Sequence, residues 1–139
     1  MLDRLAADEV GLAEVQGEAL LHNDIRSDNL LLTPDGRVVF VDWGMPCRGA
    51  VWQDLMMFAF TADFQGGVDA ELLVRSHPLT RGIPESSIDV VVVAGYAAYR
   101  SLALRPVDPL MPRSNAYHVA CAQASLRWLQ RRAAGRMAL

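Results

Sequence analysis

His22-Asn23-Asp24-Ile25-Arg26-Ser27-Asp28-Asn29, followed by Val41-Asp42-Trp43-Gly44, is the stretch on which the fold of this chain turns. Between the two segments lie Leu30-Leu31-Leu32, then Thr33-Pro34-Asp35-Gly36, then Arg37-Val38-Val39-Phe40-Val41. Two short apolar runs flank a cluster of turn formers, which predicts strand, tight turn, strand. Pro34 presets φ for the first central turn position and Asp35 suits the second. Gly36 takes φ > 0 without a steric cost, closing a hairpin with a bulge. Such a hairpin swings Asp42 back towards Asn29 and Asp24.

The first segment reads His-x-Asp-x-x-x-x-Asn, and the second is an Asp-aromatic-Gly at a strand end. Together they are similar to the catalytic loop and metal-binding loop of kinase-type phosphotransferases. In that chemistry a carboxylate accepts the proton of an attacking hydroxyl. An amide oxygen and a second carboxylate hold the Mg²⁺ that neutralises the phosphates. The stretch from Leu20-Leu21-His22-Asn23-Asp24 to Asp42-Trp43 resembles the aminoglycoside phosphotransferase and choline kinase-like family, whose members read L-[VI]-H-G-D-x-x-x-x-N, a hairpin, then [IV]-D-W. Asn23 stands where the family has Gly, and Asn is among the residues most tolerant of φ > 0. Trp52-Gln53-Asp54-Leu55 is a further echo: in the family a similar Asp begins a helix and hydrogen-bonds the catalytic-loop backbone. The motif-bearing likeness covers roughly residues 15–60.

The resemblance implies that Asp24 is the catalytic base and that Asn29 and Asp42 bind the nucleotide through Mg²⁺, with ATP as co-substrate. Arg26, two residues beyond Asp24, is a candidate catalytic cation that steadies the transferring phosphoryl group. A solvated arginine is the competing reading. His22 reads as a structural residue beneath the loop, Trp43 and Trp52 as packing residues, and Asp28 as a loop hydrogen-bonder.

The chain also lacks parts that the resemblance leads one to expect. It has no Gly-rich phosphate-covering loop and no lysine, every basic residue besides histidine being arginine. The family's nucleotide-binding lobe would precede residue 1, so the sequence reads as the C-terminal lobe of a protein kinase-like fold. A truncated product, a split-gene partner or a degenerate relative all fit, and either a separately encoded N-terminal lobe or a homodimer would cover the open side.

At 139 residues, 52 % of them apolar, the chain can bury one core. A net charge of −3 gives no reason to expect nucleic acid or an anionic membrane surface as a partner. Cys47 and Cys121 show no paired spacing, and no signal sequence opens the chain, which suits a reducing, cytoplasmic setting. Helical spacing covers residues 2–16, with Gly17 as a stop, and about 50–62. A short helix capped by Asp69 runs through Arg75, and a long one spans about 85–104 behind Pro84. A last helix, capped by Ser114, runs to about Ala134, with Gly135 as its stop. The apolar run Ile88–Ala98 is too short to span a membrane and reads as a core helix. His118 and Cys121 share a helix face but lack a second ligand pair, so they read as packing. The Pro-rich segment 105–113 is a loop that could line a substrate cleft.

The expected architecture is therefore mainly α with a small β-hairpin, an α+β lobe in one unit over residues 1–139. It comprises a catalytic loop at 22–29, a metal-binding hairpin at 30–44 and a helical subdomain at 50–135. The expected activity is ATP-dependent phosphorylation of a small-molecule hydroxyl. A kinase-derived binding or scaffolding domain without catalysis is the alternative. Asp63, Asp69, Glu71 and Asp108 could face a cationic substrate, or simply lie on solvated helix faces.

Overall fold

The computed structural model describes residues 15–137, so the helix expected over 2–16 lies outside the described residues. Among the described residues four short strands precede four α-helices. Strand β1 (Ala19–Leu21) pairs antiparallel with β4 (Cys47–Gly49), with Leu20 opposite Arg48. Strands β2 (Leu30–Leu32) and β3 (Val38–Phe40) form the expected hairpin, with Leu31 opposite Val39. Gly36 adopts φ +81°, and Thr33 accepts from the Gly36 amide at 2.9 Å while donating its own amide to Arg37 O at 2.8 Å. The turn residues thus do what their chemistry dictates.

Helices α1 (Gln53–Gly66), α2 (Ala70–Ser76), α3 (Glu85–Ala103) and α4 (Pro112–Met137) make up the body. Asp69 caps α2 through its side chain, accepting from the Leu72 amide at 2.8 Å. The last helix begins three residues earlier than a Ser114 cap implies because Pro112 fits the first helical turn, where its missing N–H costs nothing. Gly135 lies within α4 rather than ending it. No helix among the described residues is long and apolar enough to cross a membrane.

The core gathers Trp52, Met56 and Phe60 around α1 with Val74, Ile88, Val92, Tyr99, Cys121, Trp128 and Leu129 from the other helices. Phe60 sits edge-on to both Tyr99 (5.9 Å between centroids) and Trp128 (5.5 Å). Helices α3 and α4 pack most extensively on one another. A buried charge cluster bolts them together at one end. Arg132, 3 % exposed, donates to Asp89, to both oxygens of Glu71 and to Glu85 at 2.6–2.7 Å. The Trp128 indole adds a bond to Glu71 at 2.5 Å. Burial alone would lower the Arg132 pKa, but its carboxylate partners raise it overall.

The close approach of α1 and α3 is set by one glycine. A Cβ at Gly95 would lie 2.4 Å from two ring carbons of Phe60, whose side chain is fully enclosed. Alanine in mid-helix gains about 1 kcal/mol over glycine in propensity, whereas overpacking a closed core costs about 1–3 kcal/mol. The clash is expected to win, so Gly95→Ala should lower the urea midpoint. A midpoint at or above wild type would show that the α1–α3 contact is looser than described.

Candidate active site

The loop between β1 and β2 carries Asp24, Arg26 and Asn29, and it is held from below by a single carboxylate. Asp54, in the first turn of α1, accepts from the His22 amide on one oxygen and from the Asn23 amide on the other, both at 2.8 Å. Two backbone donors that the turn leaves unpaired are thereby satisfied. Asn23 takes φ +60°, a conformation that asparagine tolerates better than most residues. The loop then closes in a single 3₁₀ turn, Ser27–Asn29.

His22 is buried beneath the loop. Its Nε2–H donates to Val41 O at 2.8 Å, and its ring lies 4.6 Å from that of Trp43. With 1 % exposure it ties loop to hairpin and has no path to a substrate proton. Val41 in turn donates its amide to Asn29 O at 3.0 Å. Position 42 therefore follows directly on the stitch between catalytic loop and hairpin. Asp42 adopts φ +62° and is exposed, and its carboxylate makes no hydrogen bond or ion pair with another described residue.

Asn29 is buried and spends its amide nitrogen on Asp24, at 2.9 Å from the backbone oxygen and 3.1 Å from Oδ2. Its own Oδ1 and the Oδ1 of Asp24 remain without a bond to a described residue. Arg26 Nε lies 3.7 Å from Asp24 Oδ2 and 3.1 Å from Asp28 Oδ1. The guanidinium also lies 5.1 Å from the Tyr117 ring centroid on α4. Partial burial by itself depresses the Arg26 pKa, but Asp24 and Asp28 outweigh it and raise it. Beneath, burial pushes the Cys121 thiol up to about 11 and holds the Tyr99 and Tyr117 hydroxyls far above the usual range. His118 is lowered by burial and by the nearby Arg26 and Arg105. Cys121 is fully buried, and no group of three or more His, Cys, Asp or Glu among the described residues is placed to hold a metal ion.

Sequence reasoning thus named Asp24, Arg26 and Asn29, which the fold brings into mutual contact, and Asp42, which follows the Val41–Asn29 hydrogen bond and makes no bond to them. It missed Tyr117. An aromatic at helical spacing some ninety positions downstream carries no local sign that it will lie over Arg26.

The donor types suit a hard divalent cation. Asn29 Oδ1 and the Asp42 carboxylate are unspent oxygens, and Mg²⁺ ordinarily takes only one or two carboxylates, filling its remaining positions with water and phosphate oxygens. A protein cage of many ligands is not required.

A family model described as the phosphotransferase enzyme family matches residues 2–86, more than half of the sequence. The chain belongs to that family. No curated protein and no solved structure matches it. The part matched to the phosphotransferase family holds Asp24, Asn29, Asp42 and Asp54 and ends inside α3, while Tyr117 and all of α4 lie beyond it.

The Asp54 clamp has a measurable consequence. Asp54→Asn keeps the shape but turns one acceptor into a donor facing a backbone N–H. A loss of about 1–3 kcal/mol is expected, together with faster hydrogen exchange at the His22 and Asn23 amides. Unchanged exchange at both amides would mean that the loop is held by something else.

Proposed function

We propose that this phosphotransferase moves the γ-phosphate of ATP to a hydroxyl on a small molecule. The observation that carries the reading is the Asn29 amide. By donating to both the backbone and the side chain of Asp24, it fixes the carboxylate while leaving one oxygen of each side chain unspent. In this reading Asp24 Oδ1 receives the proton of the attacking hydroxyl. Asn29 Oδ1 and Asp42 hold Mg²⁺, which supplies charge neutralisation at the phosphates when bound. Arg26, clasped by Asp24, Asp28 and the Tyr117 ring, holds the loop against α4 and presents a fixed cation beside the base.

The sequence supplies only the lower half of a triphosphate clamp. It contains neither a Gly-rich loop nor a lysine, and arginine's planar fork is a poor substitute for a point charge on the phosphates. The upper half of the clamp would come from outside these 139 residues. The second reading is a binding or scaffolding domain without turnover.

Two measurements separate these readings. Asp42→Asn preserves the left-handed backbone but removes the charge. It should weaken Mg²⁺-ATP binding by at least about tenfold in calorimetry and leave metal-free binding unchanged. Equal affinities with and without the substitution would remove Asp42 from the metal site. In any preparation that turns over ATP, Asp24→Asn should lower kcat by about 10²–10⁴ with little change in the acceptor KM. Near-wild-type turnover would dismiss Asp24 as the base, and a complete lack of turnover with every partner tried would favour the scaffolding reading.

A further inference from the structure

Next to Asp24 the surface opens into a cleft of about 550 Å³, walled on one side by Arg26 and Asp28 and on the other by Leu110, Met111, Arg113 and Tyr117. Asp24 lies one side chain away, its Oδ2 3.7 Å from Arg26 Nε. The far wall belongs to the 110–117 segment, beyond the part of the chain matched to the family. Its rim is organised locally: Asp108 Oδ1 accepts from the Leu110 amide at 2.8 Å, and Asn115 ties the start of α4 to Ala103 O at 2.9 Å.

The charges around this cleft decide what it can hold. A polyamine would need several unspent carboxylates in the wall, and none of the four sequence candidates lines it. Asp63 pairs with Arg127 and Arg131 at 3.2 and 3.1 Å. Glu71 serves the Arg132 cluster, Asp69 caps α2, and Asp108 holds the rim. The one acidic side chain in the wall, Asp28, is paired with Arg26 at 3.1 Å. By contrast, Arg113 makes no hydrogen bond or ion pair with any described residue, so the unspent charge facing the cleft is positive. Beside it, Leu110, Met111, Pro112 and the Tyr117 ring give an apolar surface.

We propose that the acceptor is a hydroxylated small molecule carrying an anionic group and an apolar flank. Its anion pairs with Arg113, its flank lies on the Leu110–Pro112 rim and Tyr117, and its hydroxyl reaches towards Asp24. The proposal rests on the phosphotransferase reading for the fate of that hydroxyl, but not for the binding itself. A polycationic aminoglycoside is the wrong charge for this wall.

Three matched probes test it: phenyllactate, the diol obtained by reducing its carboxyl group, and phenylalaninol. Each has a hydroxyl and a benzyl group, and they differ in carrying an anion, no charge or a cation. Titrations followed by amide chemical shifts, without ATP or metal, should show phenyllactate binding about fivefold more tightly than phenylalaninol. Shifts should centre on Tyr117 and the 110–114 backbone, and the preference should shrink with added salt. Arg113→Glu, an exposed substitution, should reverse the order. Phenylalaninol binding best, an order unchanged by Arg113→Glu, or no probe perturbing Tyr117 would each overturn the proposal. Because nucleotide and metal are absent, such a failure leaves the Asp42→Asn result standing. Conversely, correct probe order with metal-independent nucleotide binding would overturn only the phosphotransferase reading.

Discussion

The two hydrogen bonds from the His22 and Asn23 amides to the Asp54 carboxylate are the constraint on which the site depends. They join the first turn of the first described helix to the loop that carries every catalytic candidate but one. An ionised acceptor with two N–H donors is worth more than a neutral pair, and it fixes direction as well as distance. With residues 22 and 23 held, the positive φ at Asn23 turns the chain so that Asp24 and Asn29 meet. His22 and Val41 then carry the same order into the hairpin.

The hairpin was legible in the sequence because its signals are local, whereas the Asp54 clamp, reaching across more than thirty residues, was expected only through the family resemblance. Pro34-Asp35-Gly36 dictates a turn through φ preferences alone, and Asp69 announces a helix start by its side-chain acceptor. The β1–β4 pair escaped notice for the opposite reason. Each strand has three residues, too few for a period, and Cys47-Arg48-Gly49 contains no β-branched side chain. Its partner is nearly thirty residues away. The ends of α4 were misplaced because Ser114 and Gly135 are generic signals, and the pull of tertiary packing carries a helix through them.

The acidic residues show most clearly what a linear reading lacks. As a list, Asp63, Asp69, Glu71 and Asp108 look like a surface for a cation. In three dimensions each already has a donor and none lines the cleft beside Asp24, whose wall instead carries Arg113. Asp89 makes the same point from the core. It lies within the apolar run Ile88–Ala98, yet it is one of three carboxylates around buried Arg132. Removing one member of such a cluster strands the charge of the others, so these residues act as a unit.

The β2–β3 hairpin presents Leu31, Leu32, Val38, Val39 and Phe40 largely to solvent, and among the described residues its strands touch chiefly one another. A two-stranded ribbon without a packed face is only marginally stable. The helical body, with its aromatic core and charge cluster, belongs to the opposite end of the local stability range. Opening the hairpin breaks the Asn29–Val41 pairing and moves Asp42 away from the loop without unfolding a single helix. Whatever covers that apolar ribbon governs how much of the time the site exists.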